Sequence, residues 1–199
     1  SAATLVYLIM ILLFLGVMLV QIMNVIIRWR QKQSREYFLY AVYLSVFFIY
    51  LLQLFADEFI PEDAYNRISG FTQFISRPIA ILLYVLYNRF VVAFLDLDTI
   101  RPKFSRSLKL YSTILVFSVF SQLMLQYFSR NNPDIQNAVY GLFTLLLSMV
   151  NIYIIYQLWK TSNELSHYIL KGSICLTVGV IITNVLNYLM IKGVFANDP

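Results

Sequence analysis

Polar side chains set inside apolar stretches are where this chain could do chemistry, and their spacing pairs them. Gln73 precedes Arg77 by one helical turn, Gln122 and Gln126 stand one turn apart, and Asn184 and Asn187 share a face with Tyr188 beside them. Side chains three or four residues apart lie on one face of a helix, so each pair presents a single polar surface. Gln53 and Tyr140 add an amide and a phenol at a similar depth. A guanidinium among amides and phenols is a hydrogen-bonding set suited to a small polar or anionic ligand. The same groups also suit plain contacts between helices, worth about 0.6 kcal/mol each in a membrane.

Covalent chemistry lacks its usual parts. One cysteine, Cys175, and one histidine, His167, exclude an internal disulfide and any multi-histidine metal site. No Gly-rich phosphate loop is present, and one histidine supports no convincing nucleophile–base set. Every Asp and Glu falls in a connection or at a helix end, so the buried carboxylates of a proton relay are absent too. The chain is expected to be no enzyme and to use no metal or cofactor.

The elements that position these groups follow from composition. Hydrophobic residues make up 60% of the chain and charged residues 13%, with a mean hydropathy of +0.71. A soluble domain carries about a quarter charged residues, so this exterior must face lipid. A span needs about 20 mostly apolar residues, and six stretches qualify: residues 3–27, 37–55, 68–95, 108–128, 135–158 and 168–191. Backbone amides in hydrocarbon must be bonded within their own segment, which makes these runs helices. The expected fold is an all-α transmembrane bundle, a single domain with up-down topology and short connections. Unbroken apolar runs such as Ile79 to Tyr87 contradict the alternation of a β-barrel.

Lys and Arg in short connections stay on the cytoplasmic side. The odd-numbered gaps and their flanks hold Arg28, Arg30, Lys32, Arg35, Arg101, Lys103, Arg106, Lys109, Lys160 and Lys171, whereas the even-numbered side holds Arg67, Arg130 and Lys192. The N-terminus is therefore expected outside a multi-pass cell membrane. The net charge of +5 comes from these scattered hinges and forms no continuous stripe, so no nucleic-acid partner is expected. Arg77, followed by Pro78, and Arg89, preceded by Asn88, lie within the third span. An arginine at that depth costs about 2.5–3.5 kcal/mol on insertion scales, so each should face the bundle or snorkel.

Two segments resemble a known group. Arg35-Glu36-Tyr37-Phe38-Leu39-Tyr40 opens the second helix, and Tyr87-Asn88-Arg89-Phe90-Val91-Val92-Ala93-Phe94-Leu95-Asp96-Leu97, then Arg101-Pro102, closes the third. Phe-Leu-Asp-Leu followed shortly by Pro resembles the bacterial seven-transmembrane receptors with diverse intracellular signalling modules. The resemblance implies the membrane transducer of a bacterial inner-membrane sensor. It implies partners in the native chain: an extracytoplasmic sensor domain before the first helix and a kinase- or cyclase-type module inside. A homodimer is a further expectation. Six spans stand against the family's seven, so a seventh helix and the output module are expected beyond Pro199. The competing reading is a small-solute transporter or channel subunit, although the segments show no inverted halves.

Overall fold

The computed structural model describes residues 2–128 and 133–160, together with His167, Ile169, Leu170, Lys171 and Ile174. The described chain is all α-helix, as its composition demands: α1 (Ala2–Lys32), α2 (Arg35–Leu54), α3 (Ala56–Phe59), α4 (Glu62–Phe94), α5 (Leu97–Ile100), α6 (Pro102–Phe128) and α7 (Pro133–Trp159). Five of these, α1, α2, α4, α6 and α7, are long and apolar enough to cross a membrane. The sixth expected span, 168–191, lies outside the described residues apart from isolated positions. Two compact units divide the chain, Ser1–Arg130 and Asn131–Pro199.

In the first unit the long helices pack in series: α1 on α2, α2 on α4, α4 on α6. The α1–α2 seam buries Ile11, Leu15, Met18, Ile22 and Val25 against Ala41, Leu44 and Leu51, with Tyr37, Tyr40, Phe47, Phe48 and Phe55 packed around them. Spacings alternating between four and three residues average 3.5, the repeat that keeps one seam of two helices in register. The rest of α1 is uncovered, with Val17 69% exposed, as is much of α6, with Phe117 68% exposed. Apolar surface on that scale is stable only where lipid or another apolar helix covers it.

The α2–α4 contact is a ladder. Tyr40 stacks on Phe90 at 4.9 Å between ring centroids, Tyr43 meets Tyr87 at 5.7 Å, and the Gln53 amide donates to the Thr72 carbonyl. Rising numbers on one helix meet falling numbers on the other, so the two are antiparallel. On α4 a second buried stripe, Ile81, Val85, Asn88, Val92 and Leu95, sits one residue on from the aromatic one and serves α6. Its counterpart on α6 is Ser105, Leu108, Ser112, Leu115, Gln122 and Gln126. This second seam has the same spacing as the α1–α2 seam but is half polar.

Tight turns at one end of the unit reverse the chain. Gln33 (φ 47°) turns α1 into α2, and Asp96 (φ 45°) turns α4 into α5; these are the non-glycine residues of positive φ among those described. Gln33 donates its backbone N–H to the Trp29 carbonyl at 2.6 Å, and Trp29 then packs on Phe38 at 5.3 Å. In the second unit α7 buries Leu147, Ile154 and Leu158 on one stripe.

Helix ends depart from the apolar limits read in the sequence. The third span, expected from residue 68, extends back to Glu62, and the acidic connection before it contains α3. The fourth, expected from residue 108, begins at Pro102, so much of the basic gap is helical. The reason is that hydropathy marks where lipid begins, whereas backbone hydrogen bonding continues into polar residues until a turn stops it. Proline is well placed at such a start because the first turn has no use for its missing N–H.

Candidate functional site

Two of the expected site residues are placed together by α6. Gln122 and Gln126 are 5% and 6% exposed and occupy the stripe that meets α4. Their Oε1 atoms are buried with no hydrogen-bond partner among the described residues. An unmade hydrogen bond at a buried polar atom costs about 1–3 kcal/mol. The two atoms, one turn apart, are hydrogen-bond acceptors left open by the described residues.

Arg77 is half-buried on α4 and engaged within the fold, and Pro78 beside it is buried. Pro78 has no N–H to give the carbonyl of Phe74, yet α4 runs unbroken through it. Gln73 lies one turn before Arg77 on α4, and its side chain is outside the described residues. Because α4 and α6 are joined by the short α5 corner and pack together, the far end of α6 lies alongside the early part of α4. Arg77 and the glutamine pair therefore share the half of the unit distant from α5. Gln53 belongs to that half as well. Its Nε2 holds the Thr72 carbonyl, its Oε1 is buried without a partner, and Thr72 Oγ1 donates to the Ser69 carbonyl at 2.9 Å. Asn184, Asn187 and Tyr188 lie outside the described residues. Tyr140 is on α7, in the second unit.

At the opposite end, the Phe94–Leu97 motif is the corner itself. Leu95 and Leu97 are 2% and 0% exposed, while Asp96 between them takes the left-handed conformation that asparagine and aspartate tolerate. Asp98 on α5 accepts from Ser105 Oγ at 2.6 Å and from Lys109 Nζ at 2.5 Å. The Lys109 hydrogen bond, then that of Ser105, holds the Asp98 carboxyl below its ordinary range, with the charge of Arg35 at the start of α2 assisting. The α5 corner and α6 are tied here through one exposed carboxylate.

Sequence reasoning missed a third group. Tyr40 and Tyr43 on α2, Tyr84, Tyr87 and Asn88 on α4, and Tyr111 on α6 converge between the corner and the middle of the unit. Tyr43 lies within electrostatic reach of Tyr87, Tyr40 and Tyr84, and Tyr111 within reach of Tyr84. The signal was present as phenols three apart on α2 and as Tyr84, Tyr87 and Asn88 on neighbouring faces of α4. Tyrosine counts as hydrophobic in a span, so it went unread.

Among the described residues no cluster of His, Cys, Asp and Glu could hold a metal ion. A model of the 7TM diverse intracellular signalling family matches residues 7–197. No curated protein and no solved structure matches the chain.

Proposed function

The chain belongs to the 7TM diverse intracellular signalling family, and from that membership we propose that it is the sensor and transducer domain of a bacterial signalling receptor. It passes an extracytoplasmic signal, from a small polar or anionic ligand or from a sensor domain, to a cytoplasmic kinase- or cyclase-type module. The single observation carrying this reading is the match over residues 7–197, nearly the whole chain.

The arrangement of the unit supports it. The α5 corner and the α1–α2 turn carry Arg28, Arg30, Lys32, Arg35, Lys103 and Arg106, all exposed. Under the positive-inside rule that end is cytoplasmic, which puts the N-terminus outside and the Gln122–Gln126 half toward the exterior. A ligand reaching Arg77, Gln122 and Gln126 would act on the α4–α6 seam. It shifts the balance between two helix arrangements only by its difference in affinity for them. Unpaired amide oxygens in one arrangement, satisfied in the other by N–H or O–H groups of the ligand while Arg77 takes any negative charge, supply such a difference. The output end is then the corner, where α4 and α6 meet α5.

The test uses the full-length native protein in membranes, with the activity of its own output module as readout. Gln122→Leu with Gln126→Leu removes two unsatisfied oxygens at little change in volume, and Arg77→Ala removes the guanidinium. A coupling of ordinary size predicts a shift in basal or stimulated output of about fivefold or more. Unchanged output in both variants, together with substrate-dependent flux through the wild-type protein in proteoliposomes, overturns the receptor reading in favour of transport.

A further inference from the structure

The two seams of the first unit differ in one respect that packing alone does not explain. The α1–α2 seam is lined by aliphatic and aromatic side chains. The α4–α6 seam contains Asn88 at 2% exposure, with its Nδ2 lacking any hydrogen-bond partner among the described residues, and the buried Tyr111 hydroxyl in the same state. Neighbouring hydroxyls are committed elsewhere. Ser112 donates to the Leu108 carbonyl at 2.8 Å and Ser105 donates to Asp98. Tyr84, one turn before Asn88 on the same side of α4, lies within electrostatic reach of Tyr111 on α6. With α4 and α6 packed antiparallel through the α5 corner, Asn88 and Tyr111 lie at a similar level of the seam, each with a polar atom that no described residue satisfies.

We propose that this place between α4 and α6 is a binding site for water, held by Asn88 and Tyr111 and walled by Tyr43, Tyr84 and Tyr87. Water suits it on chemical grounds. The free groups are an amide N–H, which needs an acceptor, and a phenol, which can donate or accept. A single small molecule that both accepts and donates can bridge them. Buried water typically makes about three hydrogen bonds to groups otherwise left unsatisfied, and a bridge is nearly as good as a direct bond. The site is distinct from the Gln122–Gln126 pair, which lies nearer the other end of α6. A hydrated joint also allows α6 to shift on α4, because water exchanges partners where interlocked aliphatic side chains cannot.

Radiolytic hydroxyl-radical labelling of the full chain in nanodiscs tests the proposal, since radicals generated from bound water modify the side chains beside it. After correction for intrinsic reactivity, Tyr84 and Tyr111 are expected to be labelled several-fold faster than Phe47 in the dry α1–α2 seam. Asn88→Leu, or Tyr111→Phe where the first variant does not fold, is expected to lower Tyr84 labelling several-fold while leaving Phe47 unchanged. Wild-type labelling of Tyr84 and Tyr111 no faster than that of Phe47 overturns the proposal, as does fast labelling that neither substitution reduces. Unfolding is recognised separately, because it raises labelling at Phe47.

Discussion

Asp98 concentrates the polar contacts of the corner in one side chain. With Lys109 and Ser105 donating to it, its carboxyl titrates below the ordinary carboxylate range. A lowered folded-state value means that the contribution to stability is present above the unfolded-state value. It is lost as pH falls through the lowered one. Thermal unfolding followed from neutral pH down through the carboxylate range should show the wild type losing stability in that acid window. Asp98→Asn should start lower and have a flatter acid limb. Because Asp98 is solvent-exposed, the effect is modest and should shrink further in high salt. Asp96 gives a sharper result: Asp96→Val places a β-branched residue at φ 45° and should cost about 1–2 kcal/mol, whereas Asp96→Asn should be nearly neutral. At this scale the sequence was partly legible. The buried glutamines were found because amides are conspicuous in a span. The Asp98–Lys109 pair, eleven residues apart, needed the α5 turn to bring it together, and the phenol cluster was hidden by tyrosine's double character.

Among elements, the α1–α2 seam sets the standard of rigid packing. Leu15 lies in the middle of its buried stripe at 6% exposure. Leu15→Ala should destabilise the domain by about 2–3 kcal/mol, the lower part of the range for a core cavity. The measurement is chemical or thermal unfolding in detergent. In α6 the sign reverses. Gln122→Leu removes an orphaned oxygen and should raise the stability of the unliganded domain by about 1 kcal/mol, a gain of the sort that function-bearing sites forgo. The spans could be read from apolar run length because a membrane imposes that length on any helix crossing it. Their ends could not, since hydropathy is silent on where a helix stops. The turns at Gln33 and Asp96 involve residues whose left-handed conformation no apolar pattern announces.

For the whole molecule, the direction of the helices is the quantity to measure. With Cys175 replaced, Gln31→Cys in the turn after α1 should react with a membrane-impermeant maleimide only after cells are opened. Ile60→Cys, between α3 and α4, should react in intact cells. The opposite pattern would reverse the proposed flow of signal. The membrane setting was readable from composition, because 13% charged residues cannot clothe a chain of this size in water, and the unbroken apolar runs made it an all-α bundle. The serial order of the helices was readable as well, because short connections leave consecutive spans as antiparallel neighbours, and α1–α2, α2–α4 and α4–α6 pack in that order.

That serial order has a consequence for how perturbations combine. With α1 packed on α2, α2 on α4 and α4 on α6, α4 is the helix that joins the aromatic ladder of α2 to the polar seam of α6. Energies should therefore add for substitutions paired between α1 and α6, such as Leu15→Ala with Gln122→Leu. They should fail to add for pairs spanning α4 and α6, such as Asn88→Leu with Tyr111→Phe. A relay of this kind can be tuned at a single stave, and α4 is the one to change.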